Sequence, residues 1–132
     1  MMLRRLFVLC AACFLSGACS APSSVVVSPG PAKQAALRYR ADLHAELALA
    51  YLDKEQFEVA RREAALALQL TADHRDALHA LALIERAAGN VQAAGQYFQQ
   101  ALAVKSGKDD PLLRLNYARF LDEQARRTVF DD

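Results

Sequence analysis

Tryptophan is absent from the 132 residues, and glycine and proline are scarce, at five and four. So few turn-formers argue against a β-sandwich or barrel, which needs frequent tight turns. An excess of either charge is also missing. Sixteen Lys and Arg face fifteen Asp and Glu, a formal +1, so there is no polybasic field to hold nucleic acid and no acidic surplus pointing to disorder. Three cysteines are too few for a disulfide-stapled mini-protein. The length leaves room for one domain and excludes a multidomain enzyme. What is abundant is alanine and leucine, within a composition 54% apolar and 23% charged. Both residues favour helix.

The first residues read as an address. Arg4 and Arg5 precede an apolar run, Leu6 to Leu15. At about ten residues that run suits an export signal and is too short for a spanning helix, which needs roughly twenty. Leu15-Ser16-Gly17-Ala18-Cys19 then resembles the lipobox of bacterial lipoproteins, in a permissive form with Ser16 three residues before the cysteine. The resemblance implies a signal peptide over 1–18, cleavage before Cys19, and diacylglycerol on its thiol. Ser20 in the next position implies the outer membrane, with the chain on the periplasmic face. Cleavage after Ala18 as an ordinary signal peptide is the alternative. Cys10 and Cys13 would leave with the signal, so no disulfide or thiolate metal site is expected. Arg4 and Arg5 would leave too, turning the charge balance to fourteen basic against fifteen acidic residues.

Residues 19–34, rich in Ser, Pro and Gly, read as a tether with a mean reach of roughly 20–24 Å. Val25-Val26-Val27 interrupts it; a short strand formed on a partner is the alternative reading there.

From Ala35 the pattern is helical, and it repeats. A shift of 34 residues pairs Asp42 with Asp76, Leu47 with Leu81, Ala48 with Ala82, Leu49 with Leu83, Ala60 with Ala94, Ala67 with Ala101 and Leu68 with Leu102. Small residues at Ala48, Ala60, Ala82 and Ala94 allow close helix approach, and Leu47, Tyr51, Leu81 and Phe98 are expected to fill the remaining space. Gly89-Asn90 suits a turn with positive φ. The equivalent Lys54-Glu55-Gln56 lacks glycine and is expected to be tighter or strained.

This period resembles the tetratricopeptide repeat, a pair of antiparallel helices. The resemblance implies an all-α tetratricopeptide-repeat α-solenoid over residues 35–132, with about two and a half repeats in five helices. Repeat one spans 41–74, repeat two 75–108, and a capping or third-repeat helix 111–126. A plain αα-hairpin array is the alternative. Arg114, Arg119, Asp122, Glu123 and Arg126 would give the last helix a polar outer face, as terminal repeats need. The array is either complete with this cap or part of a longer one. Departures from the repeat pattern fall at Ala64, Ala72 and Glu85.

Little in the sequence could carry chemistry. His44, His74 and His79 lack the i, i+4 spacing of a helical metal site and read as polar surface groups, with His79 toward the inner groove and His74 at the inter-repeat turn. Arg61-Arg62-Glu63 reads as a solvated face. No nucleophile elbow, phosphate loop or dinucleotide fingerprint occurs. No enzyme activity, cofactor, metal or small-molecule substrate is expected. The resemblance instead implies a protein-binding groove on the inner side of each first helix: Asp42, Ala45, Leu49, Leu52 and Asp53, then Asp76, His79, Leu83, Arg86 and Ala87. Ala45 and Leu49 cannot clamp a peptide carboxylate, so an amphipathic or extended apolar peptide fits better. Leu49 and Leu83 as core residues is the competing reading.

The address, tether and repeats together resemble the PilF/PilW lipoprotein family of type IV pilus biogenesis. The segments that carry the likeness are His44 to Tyr51, Ala80 to Leu83, and Leu115-Asn116-Tyr117-Ala118-Arg119-Phe120-Leu121. The resemblance implies an outer-membrane pilotin or pilus-stability protein that helps a secretin subunit reach the membrane and multimerise. A general periplasmic adaptor for envelope assembly or peptidoglycan enzymes is the other expectation.

Overall fold

The structure is a computed structural model and describes residues 29–130. The expected signal peptide, Cys19 and the tether up to residue 28 lie outside the described residues. Among those described, the chain forms five helices and no strand: α1 (Pro31–Leu52), α2 (Phe57–Leu70), α3 (Arg75–Ala87), α4 (Val91–Ala103) and α5 (Pro111–Phe130). The all-α expectation holds. No helix among them is long and apolar enough to cross a membrane.

Local chemistry sets most boundaries. Pro31 occupies the first turn of α1, where its missing N–H costs nothing, and the Gly30 carbonyl accepts from Gln34 N–H at 2.9 Å. The tether reading therefore runs too far: residues 31–34 are helical. Asp110 accepts from Leu113 N–H at 2.9 Å at the head of α5, with Pro111 next in line. That bond, before any charge effect, holds the Asp110 carboxyl below its ordinary pKa. α5 continues to Phe130, a turn beyond the end that the pattern indicates.

The turns closing α1 and α3 have one design, thirty-four residues apart. Gln56 N–H reaches back to the Tyr51 carbonyl and Glu55 N–H to Leu52; Asn90 N–H reaches Glu85 and Gly89 N–H reaches Arg86. This is the Schellman arrangement, which requires a left-handed residue just past the helix. Gly89 fills that position with φ 82°, and Glu55 fills it with φ 57°. The strain expected of the glycine-free turn is present.

Side chains show the same recurrence. Ala48 and Ala82, Ala60 and Ala94, Ala64 and Phe98, and Ala67 and Ala101 are all fully buried. In the first hairpin Ala48 packs with Ala60 and Ala64, joined by Ala80, Leu81 and Ile84 of α3. Ala41, Ala45, Ala67 and Ala77 form a second, all-alanine contact among α1, α2 and α3. The second hairpin is built around Phe98. Leu78, Ala82, Ala94 and Ala101 surround it, and α5 closes it with Leu113 and Phe120. Phe98 lies 5.5 Å from Tyr117 and 5.4 Å from Phe120 between ring centroids, within the range of favourable aromatic pairs.

Two packing expectations change. Leu47 does not fill the interior; it is exposed on the outer side of α1, where no preceding helix lies against it among the described residues. The outer face of α5 is not uniformly polar either. Leu112, Leu115, Leu121 and Val129 are exposed there, while Glu123 turns inward to Arg86.

Candidate functional site

The groove set divides once it is placed on the helices. On α1, Ala45 is only 2% exposed and sits in the all-alanine contact, so it cannot touch a peptide. The reason is close approach: a methyl group is all that fits where α1, α2 and α3 meet. Asp42 accepts from His74 Nε2 at 2.8 Å and is committed to the joint between the hairpins. Leu52 is half-buried against Tyr51 and Phe57. Leu49 and Asp53 are exposed. Of the α1 set these two offer free surface.

On α3 the inner side is already engaged. His79 Nε2 accepts from Asn116 of α5 at 3.0 Å, and its ring lies 6.0 Å from Phe98. Burial lowers the His79 pKa, which keeps the ring neutral and able to accept that bond. Arg86 makes a two-pronged contact with Glu123 of α5, at 2.9 Å from Nε and 2.5 Å from Nη2. Each partner strengthens the other's charge: the bond raises the Arg86 pKa and lowers that of Glu123. Asp76 pairs with its neighbour Arg75, which also reaches Asp110 at 3.2 Å. Leu83 is half-buried beside the Phe98 core, and Ala87 is exposed. So α5 covers part of the inner surface of α3, and the uncovered remainder centres on Leu49, Asp53, Leu83 and Ala87.

The bonds that α5 makes to the inner side of α3 have no counterpart in the repeat pattern. His79 to Asn116 and Arg86 to Glu123 are both 37 residues apart, three beyond the repeat period. α5 begins 36 residues after α3, two beyond the period, because the α4–α5 loop is longer than the α2–α3 turn.

The histidines and the charged run are also less superficial than their sequence suggests. His74 is buried and bonded through both nitrogens: Nδ1 accepts from Ala77 N–H at 3.2 Å while Nε2 donates to Asp42. It caps α3 and ties α1 to it in one residue. His44 bonds Glu63 at 2.8 Å across the first hairpin. Arg61 contacts Glu58 and also reaches Glu85, whose carboxylate is nearly buried, at 2.5 Å, while Asn90 donates to that same carboxylate at 2.6 Å. Arg61's hydrogen bond is the main cause of the lowered Glu85 pKa, Asn90 adds to it, and burial opposes both. Glu85, standing where the repeat pattern has tyrosine, thus becomes an ionic pin joining α2, α3 and the following turn.

A cleft of about 430 Å³ runs between α1, the α2–α3 turn and the α4–α5 loop, lined by Arg38, Asp42, Asp73, His74, Asp76 and Lys105 among others. Its charges are mixed, and its histidine is held at both nitrogens. Among the described residues no group of three His, Cys, Asp or Glu side chains is placed to hold a metal ion. The arrangement offers surface and shape for binding.

No family model, curated protein or solved structure matches this chain.

Proposed function

We propose that this chain is a lipid-anchored tetratricopeptide-type adaptor at the periplasmic face of the bacterial outer membrane, assisting type IV pilus biogenesis through a secretin subunit. The observation that carries the adaptor reading is the recurrence of structure at thirty-four residues. Both hairpin turns use a left-handed residue at the same place, Glu55 and Gly89, and four pairs of core positions are buried in both hairpins. Stacked hairpins of this kind act by presenting surface to another protein. The anchor rests on Leu15 to Cys19, and the pilus assignment on the resemblance of His44–Tyr51, Ala80–Leu83 and Leu115–Leu121. The contact region centres on Leu49 and Leu83, with an apolar peptide segment as the fitting ligand.

One observation favours the general envelope adaptor instead: α5 engages His79 and Arg86, which narrows the inner surface available to a large partner. Deleting the gene and following secretin on a denaturing gel separates the two. A fall in multimer with monomer retained supports the pilus role, and unchanged multimer sinks it. Palmitate labelling that disappears in Cys19→Ser supports the anchor; retained labelling refutes it. Leu49→Glu should abolish partner capture with helicity intact, and undiminished capture would place the contact elsewhere.

A further inference from the structure

α5 extends the inner surface as well as covering part of it, and two bonds fix how. On α3, Leu83 lies four residues after His79 and three before Arg86, so the three share one side of the helix. On α5, Arg119 lies three residues after Asn116 and four before Glu123, and these three share a side too. Asn116 donates to His79 at 3.0 Å, and Arg86 donates to Glu123 at 2.9 Å. The two bonds are rungs above and below one unbonded pair of positions, and Leu83 and Arg119 are that pair. Leu49 holds the place of Leu83 on α1, thirty-four residues earlier. The inner floor therefore reads Leu49, Leu83, Arg119 across three helices.

The charges around Arg119 are already matched. Arg86 holds Glu123, Arg126 holds Asp122 at 2.8 Å, and Arg75 holds Asp76. Burial keeps His79 neutral. Arg119 itself is exposed and makes no hydrogen bond or ion pair among the described residues. Its guanidinium stands at the margin of an apolar floor, where it can take a carboxylate through two parallel hydrogen bonds. At the α1 end the charge beside the floor has the opposite sign. Asp53 follows Leu49 by one turn, is exposed, and accepts no side-chain hydrogen bond among the described residues. Its neighbour Lys54 lies instead over the Tyr51 ring, 5.8 Å from the centroid.

We propose that this groove reads the polarity of its ligand: it takes an extended apolar peptide segment with an acidic side chain over Arg119 and a basic side chain over Asp53. Packed helices lie roughly 8–10 Å apart, so Arg119 stands about 16–20 Å from the α1 end of the floor. An extended chain rises about 3.3 Å per residue, which sets the acidic and basic residues about five or six apart, with apolar residues between them. The charges fix the direction of the segment. Laid the other way round, it would put a carboxylate on Asp53 and a cation on Arg119. This polarity rests on the apolar-peptide groove proposed above and adds to it Arg119 and a direction.

The test is a random dodecapeptide library displayed on phage and selected on the immobilised full-length chain and on its Arg119→Glu variant. On the parent, the enriched sequences should carry apolar residues between an acidic and a basic residue at about that spacing. On Arg119→Glu the acidic residue should give way to a basic one. Arg119 makes no bond to the rest of the fold, so the exchange leaves the seam between α3 and α5 in place. A peptide selected on the parent, followed by fluorescence anisotropy, should bind Arg119→Gln about two- to fivefold more weakly, as one exposed ion pair allows. The same peptide with glutamine for its acidic residue should bind the parent and Arg119→Gln alike. Enriched sequences without an acidic residue, or an acidic preference unchanged on Arg119→Glu, would overturn the polarity and leave the groove standing. Selected peptides that bind Leu49→Glu as tightly as the parent would overturn the groove, and the polarity with it. No enriched sequence at all would overturn the proposal too.

Discussion

Replacing Glu55 by glycine should make the protein more stable, although it removes a side chain and loosens the unfolded chain. Glu55 holds φ 57° because the Schellman turn after α1 demands a left-handed residue there. An ordinary L-residue loses about 1–2 kcal/mol in that conformation. Glycine removes this cost, and its greater freedom when unfolded takes back about 0.4–1 kcal/mol. Glu55 is exposed and donates or accepts no side-chain hydrogen bond among the described residues, so little else changes. The net expectation is a gain of about 0.5–1 kcal/mol, or a rise in melting temperature of roughly 2–8 °C for a domain near this size. Gly89 supplies the mirror experiment. A Cβ at that position would meet nothing within 4 Å, so Gly89→Ala tests backbone conformation alone and should lower stability by a similar amount. Removing a carboxylate near the C-terminus of α1 could mimic part of the gain, and Glu55→Gln isolates that effect, which should be about 0.3–1 kcal/mol at most. Thermal unfolding of the four proteins followed by far-UV circular dichroism decides the matter. Destabilisation by Glu55→Gly, or a Glu55→Gln gain equal to that of glycine, would refute the backbone argument.

Arg61→Met should destabilise by about 1–3 kcal/mol in denaturant titration, because it strips the nearly buried Glu85 carboxylate of its main donor; Arg61→Met/Glu85→Leu should recover most of that loss. Glu85 has its pKa lowered by folding, so its contribution is present above the ordinary glutamate range and disappears as pH falls through the depressed folded value. Acid titrations of the parent and Glu85→Gln should therefore converge below that range. His79 behaves as a buried base with a lowered pKa: protonation favours the unfolded chain, and stability drops as pH falls through the ordinary histidine range toward the folded value. His79→Gln should flatten that drop, and a slope unchanged by the substitution would mean that His79 is not its source. Gly107→Ala should cost about 1–3 kcal/mol or more, read as a lower melting temperature. A Cβ there would lie 2.0 Å from the Ala101 carbonyl oxygen, which belongs to the backbone and cannot yield cheaply.

The hairpins were legible in the sequence because their physics is local and periodic. Alanine recurring at 48, 60, 82 and 94 marks close helix approach, and the lack of glycine at 55, where 89 has one, marks the strained turn. Other features depend on neighbours that no local pattern reports. Glu85 reads as one charge on a charged helix until Arg61, twenty-four residues earlier and on another helix, is placed beside it. Ala45 occupies an inner position by pattern, yet three helices converge on it. Leu47 looks like a core leucine because its counterpart Leu81 is one, but Leu81 has a hairpin in front of it. The partners that α5 brings to His79 and Arg86, Asn116 and Glu123, lie 37 residues further along the chain, on a helix that no local pattern places against them.

The two ends of the array are filled with very different material. The junction around Ala41, Ala45, Ala67 and Ala77 is made of methyl groups, while the far end is a knot of Phe98, Tyr117, Phe120 and Leu113. Each methyl withdrawn from water contributes little beside an aromatic ring, so that junction is held chiefly by fit and by its polar ties, while Phe98 and its neighbours supply hydrophobic mass at the far end. Loading the chain from its N-terminal side would therefore peel α1 away first and leave the aromatic end standing. Stability is then expected to be graded along the array, lowest in α1 and highest around Phe98. Amide exchange should trace the same slope, fastest in α1 and slowest around Phe98.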